Sequence, residues 1–164
     1  MDKSIRYVIN PSLSKEELFQ FYQDNTICEE GYGMEVASRV LDHSSLIIAA
    51  YQGDRLIATT RSMFDGVAAQ VVEFCLAVDF QGKDLVYENG SILEKDDHGI
   101  AKEMAKLTIN KLLNMGAYFI SSVAFEEAEK EVYTASGFTR NHGHIDYVYE
   151  KRPYVPKHRH SADL

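Results

Sequence analysis

Apolar and polar positions along the chain change period several times, and each change marks an element. Ile5 to Ile9 alternates weakly, as a strand does, and Asn10-Pro11 ends it. Ser14-Lys15-Glu16-Glu17 then places an N-cap serine three residues before a glutamate, the pattern of a capping box. Leu18, Phe19, Phe21 and Tyr22 follow at helical spacing, and the pattern fades near Asn25. Glu29 to Gly33 reads as a loop and Met34 to Leu41 as a short second helix. Leu46 to Tyr51 and Arg55 to Met63 are strands joined by the tight turn Gln52-Gly53-Asp54. Asp65-Gly66 turns the chain again into Gln70 to Val78, whose near-continuous apolar character predicts a central strand covered on both faces. Alternation puts Val72, Phe74, Leu76 and Val78 on a bulky face. It puts Val71, Glu73, Cys75 and Ala77 on a slimmer one.

The stretch from Phe80 to Asp97 has two readings. Asn89-Gly90 between Val86-Tyr87 and Ile92-Leu93 is a hairpin signal, while Leu85 to Leu93 could equally be one further strand running into the next helix. From Ile100 the pattern is plain. Ala101, Met104, Ala105, Thr108, Leu112 and Met115 share a face, with Lys102, Glu103, Lys106 and Asn110 opposite, and Gly116 as the C′ stop. Ala117 to Ala124 is almost free of polar residues and predicts a buried strand parallel to an earlier one. A helix over Glu126 to Ser136 stops at Gly137, a last strand covers Ile145 to Glu150, and a tail begins at Pro153. The expected architecture is one α/β domain over 1–152, followed by a basic, flexible tail over 153–164.

Composition narrows the class of function. At 164 residues one domain is expected, burying about two-thirds of its unfolded surface. A formal charge of −8 argues against general nucleic-acid binding, which wants a basic face, and is compatible with cationic substrates. The longest apolar runs are strand-sized and the first ten residues hold no apolar signal core, so neither a membrane span nor a leader is expected. Cys28 and Cys75, far apart, make no disulfide framework, and a cytoplasmic protein is the expectation.

Two features carry chemistry. Gly99 opens the long helix, and free amides at a helix N-terminus behind a glycine make an anion site. Glu73 is a lone carboxylate on the slim face of a central strand, where charge is costly unless solvated or used. Cys75 has no histidine placed to activate it and reads as a small buried residue. His142-Gly143-His144 and His158-Arg159-His160 lack a third ligand at a recognisable spacing, so no metal site is expected.

The order of elements, with His98-Gly99-Ile100-Ala101 opening the long helix and Val132-Tyr133-Thr134-Ala135-Ser136-Gly137-Phe138 near the end, resembles the GCN5-related N-acetyltransferase (GNAT) family over nearly the whole chain. That resemblance implies a mixed, mainly antiparallel central sheet flanked by helices, with a parallel strand pair around the long helix. It implies acetyl transfer from acetyl-CoA to a primary amine of a small molecule or peptide in a ternary complex, and it leaves a homodimer open. Leu93, His98, Gly99, Ile100, Ala101 and Lys102 would hold the coenzyme, and Tyr133 would be the general acid. Glu73 is the first choice of base and Glu88 the second, Glu88 leading if the strand beside the pantetheine arm is 85–93 rather than 70–78. Tyr32 would line the acceptor site. The family's loop usually begins with Gln or Arg and has glycine in its middle, where this chain has Asp96 and Asp97. Those carboxylates repel a pyrophosphate unless Lys95 or Lys102 offsets them. Glu126 stands where many members have asparagine. The competing expectation is a binding or sensor module with a degraded coenzyme loop, or an enzyme using another acyl-CoA.

Overall fold

The computed structural model describes residues 4–27, 33–125, 127–147 and 149. Along the chain run β1 (Ile5–Ile9), α1 (Lys15–Asp24), α2 (Met34–His43), β2 (Leu46–Gln52), β3 (Arg55–Phe64), β4 (Ala68–Leu76), a single turn α3 (Val78–Gln81), α4 (Ile100–Met115), β5 (Phe119–Ser122) and α5 (Lys130–Ala135). The strands form one five-stranded sheet in chain order, antiparallel from β1 to β4 and parallel between β4 and β5.

Local chemistry explains several of these boundaries. Ser14 Oγ accepts the Glu17 amide at 3.1 Å and starts α1. The β3–β4 turn is fastened by Asp65, whose carboxylate accepts the amides of Val67 and Ala68 at 2.8 Å each. Helix α4 buries Ile100, Ala101, Met104, Ala105, Thr108 and Leu112, and Gly116 ends it in the left-handed conformation at φ 105°. Met115, expected on the buried face, lies at the exposed rim. Thr108 and Thr60 of β3 join their hydroxyls at 2.8 Å, so this buried polar pair between α4 and β3 is mutually satisfied.

Strand β4 departs from simple alternation. Arg61 pairs with Glu73 and Ser62 with Val71, leaving Val72 as an extra residue, a β-bulge. Val71 is therefore buried at 5% exposure and Val72 exposed at 36%, so Val72 does not share a buried face with Phe74 as alternation predicts. The strand also ends at Leu76, and Val78 belongs to α3.

Three further expectations change. Residues 85–93 form neither a hairpin nor a strand: the chain from 82 to 99 is irregular, with Ile92 N–H turned back on Asn89 O at 3.0 Å. The apolar run Ala117 to Ala124 yields only the four-residue β5, paired on one side, so Tyr118, Phe119 and Val123 are exposed rather than buried. Residues 145–147 and 149 are not in a strand, while 148, 150 and the tail lie outside the described residues. Among the described residues no helix is long and apolar enough to cross a membrane.

Candidate active site

The site begins where β4 and β5 separate. Their pairing covers only Ala68–Val71 with Phe119–Ser122, and it stops at the bulge. Beyond it β4 keeps one edge on β3, where Ala77 N–H donates to Ile57 O at 2.7 Å. The neighbouring Leu76 N–H points the opposite way, to Gly90 O at 2.9 Å. Backbone direction alternates along a strand, so the Phe74 amide lies on that same open edge. The opening is a cleft of about 250 Å³ lined by Val71 to Phe74, Ser122, Val123, Tyr133, Glu129, Ser91 and Ile27.

Tyr133 comes from α5 and enters the cleft beside β5, its Oη 3.0 Å from Ser122 Oγ. Its ring packs on Phe74 at 6.3 Å and Phe138 at 5.4 Å between centroids. Burial pushes the phenol above its ordinary range, the Glu129 charge adds to this, and the Ser122 hydrogen bond works against it. At neutral pH the oxygen therefore keeps its proton.

Glu73 faces α1 across the cleft wall. Tyr22 Oη donates to it at 2.6 Å and Arg61 Nε lies 3.4 Å from its other oxygen. Burial, then the Glu73 charge, raises the Tyr22 phenol. Glu129 is 3% exposed and accepts the Leu93 amide at 2.6 Å and the Phe125 amide, tying the irregular 82–99 segment to the chain between β5 and α5. Burial raises its carboxyl, against the pull of those two amides.

The start of α4 differs from expectation. Gly99 is left-handed at φ 69° and its N–H donates to Asp96 O at 3.0 Å. The Asp96 carboxylate then accepts Ala101 N–H and Lys102 N–H at 2.9 Å each. A helix N-terminus offers unpaired amides and a positive dipole end, and here the chain fills it with its own anion. The expected roles of Ala101 and Lys102 as free amide donors are thus pre-empted. The Lys95 ammonium donates to Lys83 O.

The remaining expected residues separate. Leu93 and Ile100 are fully buried, and His98 is exposed with its ring edge-on to Phe80. Glu88 sits outside the cleft, in a second hollow with Asp24, Arg55, Asp79 and Asp84. Tyr32, Cys28 and Glu126 lie outside the described residues. Cys75 is buried and its thiol is pushed up by desolvation, as an unreactive packing residue's would be. Among the described residues no group of three or more His, Cys, Asp or Glu is placed to hold a metal ion. Ser122, Glu129, Ser91 and Ile27 escaped the sequence reading; the only signal was the hydroxyl pair Ser121-Ser122 inside an apolar run.

No family model and no curated protein matches the chain. Solved structures do. A GNAT family acetyltransferase from Streptococcus pneumoniae is 19% identical, with a TM-score of 0.68 over 91% of this chain and 99% of that one. An aminoglycoside acetyltransferase from an uncultured soil metagenomic sample is 11% identical, with a TM-score of 0.66 over 92% and 99%. A ribosomal-protein-alanine N-acetyltransferase from Brucella melitensis is 14% identical, with a TM-score of 0.63 over 90% and 100%. The chain has the GNAT acetyltransferase fold, with its mainly antiparallel sheet and parallel β4–β5 pair. Identity this low speaks for the fold.

Proposed function

We propose that the protein is an N-acetyltransferase that passes an acetyl group from acetyl-CoA directly to a primary amine, with both substrates held in one cleft. The observation that supports this is that Tyr133 and Glu73 both line the opening left between β4 and β5. The reaction asks little of the protein: one proton must leave the amine and negative charge on the departing sulfur must be stabilised. Glu73 is the carboxylate available to take the first. Tyr133, protonated and oriented by Ser122, donates a hydrogen bond to the second. Acetyl-CoA supplies the activated thioester. The Phe74 amide on the open edge of β4 is a donor for the carbonyl oxygen of a bound acyl group.

The first turn of α4 does not fit a diphosphate while Asp96 holds its amides. That observation favours a second reading, a non-catalytic binding or sensor module. The acceptor is a small-molecule or peptide amine; the fold neighbours named for aminoglycosides and for a ribosomal-protein alanine span that range. Calorimetric titration with acetyl-CoA separates the readings. Saturable binding is expected, and no heat at millimolar ligand would reject the enzyme.

A further inference from the structure

The segment Asn89–Asp96 lies along the site and is held to it by groups that a ligand would otherwise meet. At its start, Gly90 takes the place of a strand on the free edge of β4: its carbonyl accepts Leu76 N–H at 2.9 Å and its N–H donates to Asn25 O at 2.8 Å. The fit is tight. A Cβ at Gly90 would come within 2.9 Å of Asn25 Cβ, 3.0 Å of Leu76 O and 3.1 Å of Ile27 Cδ1. In the middle, the Leu93 amide is taken by buried Glu129 at the cleft floor. At the end, Asp96 supplies a carboxylate to two amides of α4. Backbone acceptor at the strand edge, anion at the helix: the segment offers the site what an acyl-CoA would offer it.

We propose that Asn89–Asp96 is an autoinhibitory strap, which occupies the β4 edge and the α4 N-terminus and must lift before the coenzyme enters. The proposal rests on the acyltransferase reading. Two latches more than a few residues apart, Gly90 and Asp96, hold the same closed state, so loosening either one favours ligand. Asp96→Asn removes the charge and leaves one acceptor oxygen where two amides had one each. Gly90→Ala forces the strap away from Leu76.

Calorimetric titration of the full chain with CoA tests this. Wild type binds weakly, Asp96→Asn binds more tightly by about tenfold, the equivalent of one charge-assisted hydrogen bond, and Gly90→Ala also binds more tightly. Equal or weaker binding by Asp96→Asn overturns the strap while leaving the acyltransferase reading intact. No binding by any of the three proteins overturns both. Hydrogen exchange on wild type gives a readout free of substitutions. In a CoA-saturated sample the Leu93 and Glu94 amides, now bonded to Glu129 and Gln81, should lose protection. Retained protection there would overturn the proposal even if Gly90→Ala failed to fold.

Discussion

The two edges of β4 are built from the same nine residues and meet different fates. Toward β3 the strand is paired from Ala69 to Leu76, with a single bulge. Toward β5 it is paired for four residues, opens at the bulge into a cleft, and is then met by Gly90 from an irregular segment. The first edge belongs to a meander whose turns are two or three residues long, so local signals set it. The second is assembled from pieces distant in the chain, Ile27 before it and Gly90, Ser122, Glu129 and Tyr133 after it, and it is where polar side chains collect. In the proposed reading one edge is scaffold and the other is site, and the bulge at Val72 divides them.

The contrast can be broken or sharpened by substitution. The largest effect expected is on turnover: Glu73→Gln should slow amine acetylation by about 10²–10⁴-fold with the melting temperature little changed, as loss of a positioned proton acceptor does. Full activity would remove Glu73 from the chemistry. On the scaffold side, Leu112→Ala empties a fully buried site between α4 and the sheet and should cost about 2–5 kcal/mol in denaturant unfolding. The variant's folded fraction should keep its affinity for ligand, and a matching loss of affinity would show that the two edges are not separate.

Glu129→Gln comes next, with about 1–3 kcal/mol expected because a buried backbone amide loses its acceptor. It also has a pH signature. Burial raises the Glu129 carboxyl above its ordinary 4.5, so between that value and its folded pKa the native state binds more protons than the unfolded one. The stabilisation associated with this raised pKa is fully present below the unfolded value and is lost as pH rises through the folded one. Wild type should therefore decline relative to Glu129→Gln over that window in thermal melts, and parallel curves would reject the assignment. The smallest effect is Ser14→Ala, about 0.5–2 kcal/mol from a lost N-cap far from the cleft, with no change in ligand affinity.

The same division explains what was legible in the sequence. Ser14 with Glu17, Gly53, Asp65-Gly66 and Gly116 act within a few residues of themselves, and each marks the boundary it was expected to mark. The parallel relation of β5 to an earlier strand followed from its apolar run. The bulge did not, because two valines in a row give period-two alternation no way to choose the extra residue. Asp96 was visible as a wrong charge for a bound anion; that it is itself the anion could be seen only once Gly99 turned the chain back on α4. Residues 85–93 misled for a related reason. Their Asn-Gly signal is genuine turn chemistry, and Ile92 N–H does close on Asn89 O, but the flanking amides go to the Glu94 carboxylate, to Glu129 and to Gln81 instead of forming a strand ladder. Glu73 was found as a lone strand carboxylate, whereas its partners Tyr22 and Arg61 come from elements no local pattern links to it.

Acyl transfer in the β4–β5 cleft is tested most directly by thiol release from acetyl-CoA with a panel of primary amines, comparing wild type with Tyr133→Phe. The expected result is amine-dependent release that falls by about 10²-fold or more when the phenol oxygen is removed. Amine-dependent release that proceeds equally in Tyr133→Phe, or none with any amine at millimolar acetyl-CoA, would contradict it.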